Sequence, residues 1–106
     1  MLPVVSKAKK ETFGQRIRRL RDEGGITQTA LAAHCEITGG YLSRVESDAH
    51  DPPGEPVICA MAAMLQAPAD ELLRLAGRLP SDVVEWLLAD PARLAAVRAR
   101  MKGARR

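Results

Sequence analysis

The sequence predicts an all-α protein, a five-helix domain followed by a two-helix C-terminal extension. Three observations carry that expectation. Apolar residues recur at three- and four-residue spacing along most of the chain, and no stretch sustains the alternation of a strand. The chain is 46% hydrophobic but holds only three aromatic residues, Phe13, Tyr41 and Trp86. Aliphatic side chains and methionine suit helix–helix packing, whereas a sheet draws on aromatic and β-branched residues. Finally, capping residues and glycines bracket the periodic segments at helix-like intervals. The length of 106 residues allows one domain with a real core.

The elements follow in order. Residues 1–11, "MLPVVSKAKKE", are basic and aperiodic and read as a loose arm. Thr12 is a suitable N-cap for a first helix carrying Phe13, Ile17 and Leu20 on one side. Gly24 and Gly25 stop it. Thr27 caps a second segment in which Leu31 and Cys35 share a face and Ala30, Ala32 and Ala33 keep the helix slim; about two turns fit before "EIT". Thr38 caps a third segment with apolar Tyr41, Leu42 and Val45. "SDAHDPPGEP" is a loop by composition. Pro56 suits the first position of a fourth helix whose Ile58, Met61 and Leu65 face inward. "APADELLRLAG" reads as a short fifth helix ended by Gly77. Ser81 is placed as the cap of "DVVEWLLA". Asp90-Pro91 then opens a last helix running to about Met101, with "KGARR" as a frayed tail.

Several function classes find no support in the residues. No set of positioned acid, base and nucleophile suggests an enzyme. His34, Cys35, His50 and Cys59 match no zinc spacing, and adjacent residues on a helix point apart. Gly24-Gly25 lacks the preceding strand and the lysine of a nucleotide loop. No cofactor is implied. Cys35 and Cys59 both lie among apolar residues and are expected as free core thiols of a reducing cytoplasm. No segment approaches the ~20 apolar residues of a membrane span, and no signal-peptide pattern opens the chain. The expected setting is cytoplasmic.

Charge is more telling than the net value of +3. Residues 1–21 hold seven Lys/Arg against one Glu, and residues 93–106 hold six and no acid. Between Val45 and Pro91 stand nine acids against Arg74 and Arg78 alone. Basic ends around an acidic middle fit a polyanion-binding surface, or simply solvated helix faces.

The informative block is "TQTALAAHCEITGGYLSRVE", Thr27 to Glu46. Two short helices joined this tightly cross steeply, so the outer face of the second stays uncovered, with the dimensions of a major groove ~12 Å wide. Here the chain closely resembles the Cro/lambda-repressor-like helix-turn-helix family of the xenobiotic-response-element type. The resemblance covers residues 12–77, through "TFGQRIRRLRDEGGITQ", "LAAHCEITGGYLSRVE" and "ELLRLAG". It implies a lambda-repressor-like DNA-binding domain in which Thr27 and Gln28 approach a phosphate, Gln28 also a base edge. Arg44 would read a base, Thr38, Tyr41 and Ser43 would touch sugar, phosphate or a thymine methyl, and Ser47 the backbone. Arg21 and Glu46 match a family ion pair joining the first and third helices, against the alternative of a solvated pair worth little.

Two residues depart from the family pattern. Glu36 stands where a glycine is usual in the turn, so it must take an uncommon φ, at about 1 kcal/mol or more, or shift the turn. Gly39-Gly40 stand where base-reading side chains are frequent. They allow either unusually close backbone approach to DNA, leaving specificity to Arg44, Gln28 and duplex shape, or relaxed specificity.

The extension, residues 78–106, resembles a tail carried by a subset of these regulators. Val83, Val84, Leu87 and Leu88 make i, i+4 pairs, and Leu94, Val97 and Met101 form one stripe. Either these helices cap the core, or Val83, Trp86, Leu87, Leu94, Val97 and Met101 form a homodimer interface. The expected function is that of a sequence-specific, dimeric repressor on an inverted repeat of double-stranded DNA, of bacterial, phage or mobile-element origin. With no separate sensing domain, its control would come through concentration, autoregulation, proteolysis or a partner protein such as an anti-repressor. The alternative is a DNA-binding antitoxin whose acidic stretch from Glu46 to Glu55 meets a basic toxin.

Overall fold

The computed structural model describes residues 10–104, and among them every regular element is helical. The helices are α1 (Phe13–Glu23), α2 (Gln28–His34), α3 (Gly39–Glu46), α4 (Glu55–Leu65), α5 (Ala69–Leu75), α6 (Ser81–Leu88) and α7 (Pro91–Ala104). Residues 1–9 of the expected basic arm lie outside the described residues. At the arm's inner end, Glu11 is bound to helix α1: its carboxylate accepts from Arg16 and from Arg19 Nε at 2.6 Å. The Arg19 guanidinium, helped by Arg16, holds the Glu11 carboxyl down at about 2.

Threonine hydroxyls start the first three helices. Thr12 accepts from the Gln15 amide at 3.0 Å while the Gln15 side chain returns a bond to the Thr12 amide, a reciprocal capping box. Thr27 caps Ala30 and Thr38 caps Tyr41, each at 3.0 Å.

Helices α1, α2, α3 and α5 end alike. The residue past the cap is left-handed and the last carbonyls are closed by a pair of reversed backbone bonds, the Schellman arrangement. Gly25 (φ 69°) and Gly77 (φ 79°) fill that position after α1 and α5. Glu36 (φ 58°) and Asp48 (φ 64°) fill it after α2 and α3. After α2 the closing bonds run from Glu36 N–H to Ala33 O and from Ile37 N–H to Ala32 O. Glu36 therefore takes the uncommon φ and keeps the turn in register, at a cost of about 1 kcal/mol or more.

The core forms where five amphipathic helices converge. Phe13 and Ile17 come from α1, Leu31 and Ala32 from α2, Leu42 and Val45 from α3, Ile58, Met61 and Leu65 from α4, Leu72 and Leu73 from α5. Each fully buried aliphatic side chain contributes about 1.5–3 kcal/mol before conformational entropy is set against it. Among the described residues, none beyond Ala76 joins this cluster; α6 and α7 form a hairpin packed on itself.

Three expectations need correction. Cys59 is exposed, because it sits a single residue past Ile58 and so falls off the buried stripe of α4; Cys35 alone is a buried thiol, and burial pushes its pKa up. Ser81 is the first residue of α6 and not its cap, since the Pro80 carbonyl already accepts from the Val83 and Val84 amides. Its own N–H and hydroxyl donate to Glu55 instead. The last helix persists past Met101 to Ala104, because the run of Ala, Arg, Leu, Met and Lys before it outweighs the roughly 1 kcal/mol that Gly103 costs within a helix.

Candidate nucleic-acid interface

Helix α3 is seated by backbone contact with α1. At Gly14, an added Cβ would lie 2.3 Å from the Val45 carbonyl oxygen and 2.7 Å from that of Glu46. Only glycine lets the two helices approach this closely. The Thr12 hydroxyl, besides capping α1, donates to Asp48 Oδ2 at 2.8 Å and so ties the start of α1 to the end of α3.

A buried charged cluster fixes the rest. Glu46 has only 3% of its side chain exposed, and Arg21 grips it through Nε at 2.8 Å and Nη2 at 3.0 Å. Arg21 Nη1 donates to the Ile26 carbonyl at 3.0 Å, and the Gln28 amide donates to Glu46 Oε1 at 2.9 Å. The carboxylate hydrogen bonds raise the pKa of Arg21 further, against the pull of burial. Planar forks meet in two parallel bonds, so α1, the start of α2 and the end of α3 are held in one geometry. Nothing local in the sequence signals that Gln28 is the third member.

The sequence-selected residues fall into two groups. Gly39, Gly40, Ser43, Arg44 and Ser47 are all exposed and share one side of α3, opposite the buried Leu42, Val45 and Glu46. Thr27 and Thr38 are exposed beside them; each hydroxyl oxygen accepts a cap bond and keeps its own proton free to donate. Tyr41 is half-buried against the core and meets His50 edge-on at 4.8 Å between ring centres. Gln28 is half-buried, with its amide nitrogen already committed to Glu46.

The two glycines answer to no internal demand. A Cβ on Gly39 would meet nothing within 4 Å, and one on Gly40 would touch only Arg44 Nη1 at an ordinary 3.6 Å. Neither has a positive φ. The Arg44 guanidinium thus leans back over the helix start, as helical side chains do.

On the hairpin, Val83, Trp86, Leu94, Val97 and Met101 are exposed and Leu87 is half-buried. Leu79 and Leu88, which the helical pattern did not single out for this surface, are exposed as well. Arg93 lies over the Trp86 ring at 4.3 Å and donates to the Trp86 carbonyl at 2.8 Å, closing the hairpin at its turn. Among the described residues, no three of His, Cys, Asp and Glu group as metal ligands do, and no helix is long and apolar enough to cross a membrane.

Residues 12–75 match a protein-family model described as a helix-turn-helix domain. The HTH-type transcriptional regulator PrpR of Mycobacterium tuberculosis is 40% identical over 48 residues, 45% of this chain and 10% of that protein. The HTH-type transcriptional repressor RghR of Bacillus subtilis is 31% identical over 67 residues, 63% of this chain and 50% of that protein. The chain thus spans half or less of these two relatives' length. Among solved structures, the biofilm regulator SinR in complex with DNA superposes with a TM-score of 0.54 at 29% identity, over 58% of this chain and 98% of that one. These relatives are named as regulators, and their names lend no weight to the antitoxin alternative.

Proposed function

The chain belongs to the helix-turn-helix family, and on that premise we propose that it is a sequence-specific DNA-binding transcriptional regulator, a dimeric repressor that reads an inverted repeat with α3 in the major groove. One observation carries this reading: the outer side of α3 is entirely exposed while its inner side is locked by Gly14, Arg21 and the core. A rigid helix with a free polar flank is what groove readout requires.

The roles follow from position. Arg44 is the one long cation on that flank, and its fork suits guanine O6 and N7, a contact worth about 1–3 kcal/mol of discrimination. Ser43 and Ser47, with the free protons of Thr27 and Thr38, are placed for sugar and phosphate oxygens. Tyr41 lends a partly sheltered edge to the same surface, and Gln28 presents its remaining carbonyl oxygen. Since no internal packing calls for glycine at positions 39 and 40, the helix start is read as a place of close backbone approach to the duplex.

Dimerisation is assigned to the hairpin. Its large apolar residues are mostly exposed among the described residues, and its charges are divided: Asp82, Glu85 and Asp90 on or beside α6, Arg93, Arg98, Arg100 and Lys102 on α7. Two hairpins related by a two-fold axis, α6 of one against α7 of the other, bury the apolar faces and pair opposite charges. Such a dimer suits half-sites about 34–36 Å apart.

Selection of bound sequences from a random duplex library tests the proposal. The expected product is a palindrome, whose affinity falls steeply between low and moderate salt. With Arg44→Ala, preference at one position of each half-site relaxes. Enrichment of no sequence at all overturns the reading.

A further inference from the structure

Among the described residues, neither helix of the hairpin packs extensively on the domain that carries α3, and side-chain hydrogen bonds join the two parts. No residue from Leu79 to Ala104 enters the core cluster. Among the described residues, the side-chain hydrogen bonds that bridge the two parts meet at one place. Arg78, on the segment between α5 and α6, sends Nη2 to the Pro52 carbonyl at 2.9 Å and Nη1 to the Pro53 carbonyl. Beside it, the Glu55 carboxylate accepts from the Ser81 amide at 3.2 Å and from the Ser81 hydroxyl at 3.2 Å.

The partners are chosen by chemistry. Pro52 and Pro53 lie in the loop that leaves α3 and leads into α4; both rings fix φ, and Pro52, standing before a proline, is also held to extended ψ, so this stretch of backbone is stiff. A guanidinium is planar and can engage both carbonyls at once, which fixes an angle as well as a distance. Glu55 is the first residue of α4 and Ser81 the first of α6. The loop after the reading helix and the root of the hairpin are therefore joined at two points.

We propose that Arg78 and Glu55 are positioning residues that set the distance between the two α3 helices of the dimer, and hence the half-site spacing the protein accepts. This rests on the reading above, in which the hairpins pair and α3 enters the groove. The interface fixes one hairpin against the other, and the clamp fixes each hairpin against its own α3. If the clamp is lost, the interface persists and the half-site contact persists, but the angle between them varies.

The test uses the full chain on duplexes carrying two selected half-sites, their separation varied in single base-pair steps through one helical turn of about 10 bp. The parent protein is expected to show one narrow optimum. Arg78→Ala is expected to keep its dimer mass in sedimentation and its affinity for a single half-site, while its optimum broadens over several neighbouring separations. Arg78→Lys, which reaches one carbonyl, lies between the two. Glu55→Gln, a weaker acceptor with little bearing on folding, broadens the profile in the same direction and serves if Arg78→Ala does not fold. An unchanged profile in a dimeric, folded variant overturns the clamp, as does broadening that appears only together with loss of the dimer. Failure of the underlying reading looks different: the parent itself then shows no spacing optimum.

Discussion

The domain from Phe13 to Leu75 and the hairpin that follows it are made from the same kinds of residue, helix formers with aliphatic side chains at three- and four-residue spacing. Their fates differ. In the domain, Ile17, Leu31, Leu42, Ile58, Met61 and Leu72 have no exposed surface. In the hairpin, Trp86 is 55% exposed and Leu88 73%. Five helices around a centre can each turn an apolar stripe inward, whereas two helices side by side cover only the seam between them. Each large apolar side chain left in water forgoes about 1.5–3 kcal/mol. Periodicity thus says which face is apolar, and the number of neighbours says whether that face is satisfied. The exposed apolar side chains of the hairpin are the ones the proposed dimer would cover.

The largest effect belongs to the domain's buried charge cluster. Glu46→Ala leaves the Arg21 guanidinium without its partner in a nearly closed site and strips Gln28 of its acceptor. Breaking such a pair costs about 3–5 kcal/mol. Denaturant unfolding is expected to show a loss of that size, far beyond the 0–1 kcal/mol scale of an exposed pair. A loss on the exposed-pair scale would mean the cluster does not lock α3.

Next comes the direct contrast between the two regions. Leu42→Ala empties a fully buried site and is expected to destabilise the chain by about 2–5 kcal/mol. Leu94→Asp, at a 48% exposed site on α7, is expected to leave the unfolding of the isolated chain nearly unchanged and to halve the mass seen in sedimentation. If Leu94→Asp unfolds the monomer, the hairpin is part of the core after all; if the mass does not change, it is not the interface.

These contrasts show where the sequence speaks and where it falls silent. The helix starts at Thr12, Thr27 and Thr38 and the stops at Gly25 and Gly77 were legible, because caps and left-handed ends are decided within four or five residues. The strained Glu36 was legible for the same reason. Ser81 enters α6 as its first residue because the helix opens one position earlier, at the Pro80 carbonyl, and a one-residue shift at a helix end is not decided by the local pattern. The roles of Gly14 and Arg78 are not legible in the sequence, because close helix approach and a two-carbonyl grip exist only in three dimensions. In the candidate site the exposed row of α3 follows from the helical period, while the engagement of the Gln28 amide with Glu46 does not.

Acid sharpens the comparison at the domain's edge. Glu11 is held at about 2 in the folded chain against an ordinary 4.5, so the folded state binds its proton less readily than the unfolded one. The resulting stability is present above pH 4.5 and drains away as pH falls toward 2. Thermal melts of the parent and of Glu11→Gln should differ near neutrality and converge in that window. The gap is expected to be smaller than either effect above, because the pair is partly exposed and screened by water and salt. Curves that stay parallel down to pH 2 would detach Glu11 from the fold.

The smallest effect on stability is the most instructive for the site. Alanine at Gly39 and Gly40 fits without displacement, since the new methyls meet open space or an ordinary contact with Arg44. Glycine within a helix costs about 0.5–1 kcal/mol relative to alanine, so the double variant is expected to melt at a slightly higher temperature. Its affinity for the selected duplex is expected to fall, because two methyl groups would stand between the helix start and the surface it approaches. A gain in stability joined to a loss in binding separates what the fold wants at these positions from what the ligand wants. Should both fold and binding improve, the glycines serve neither, and relaxed specificity becomes the better account of the helix start.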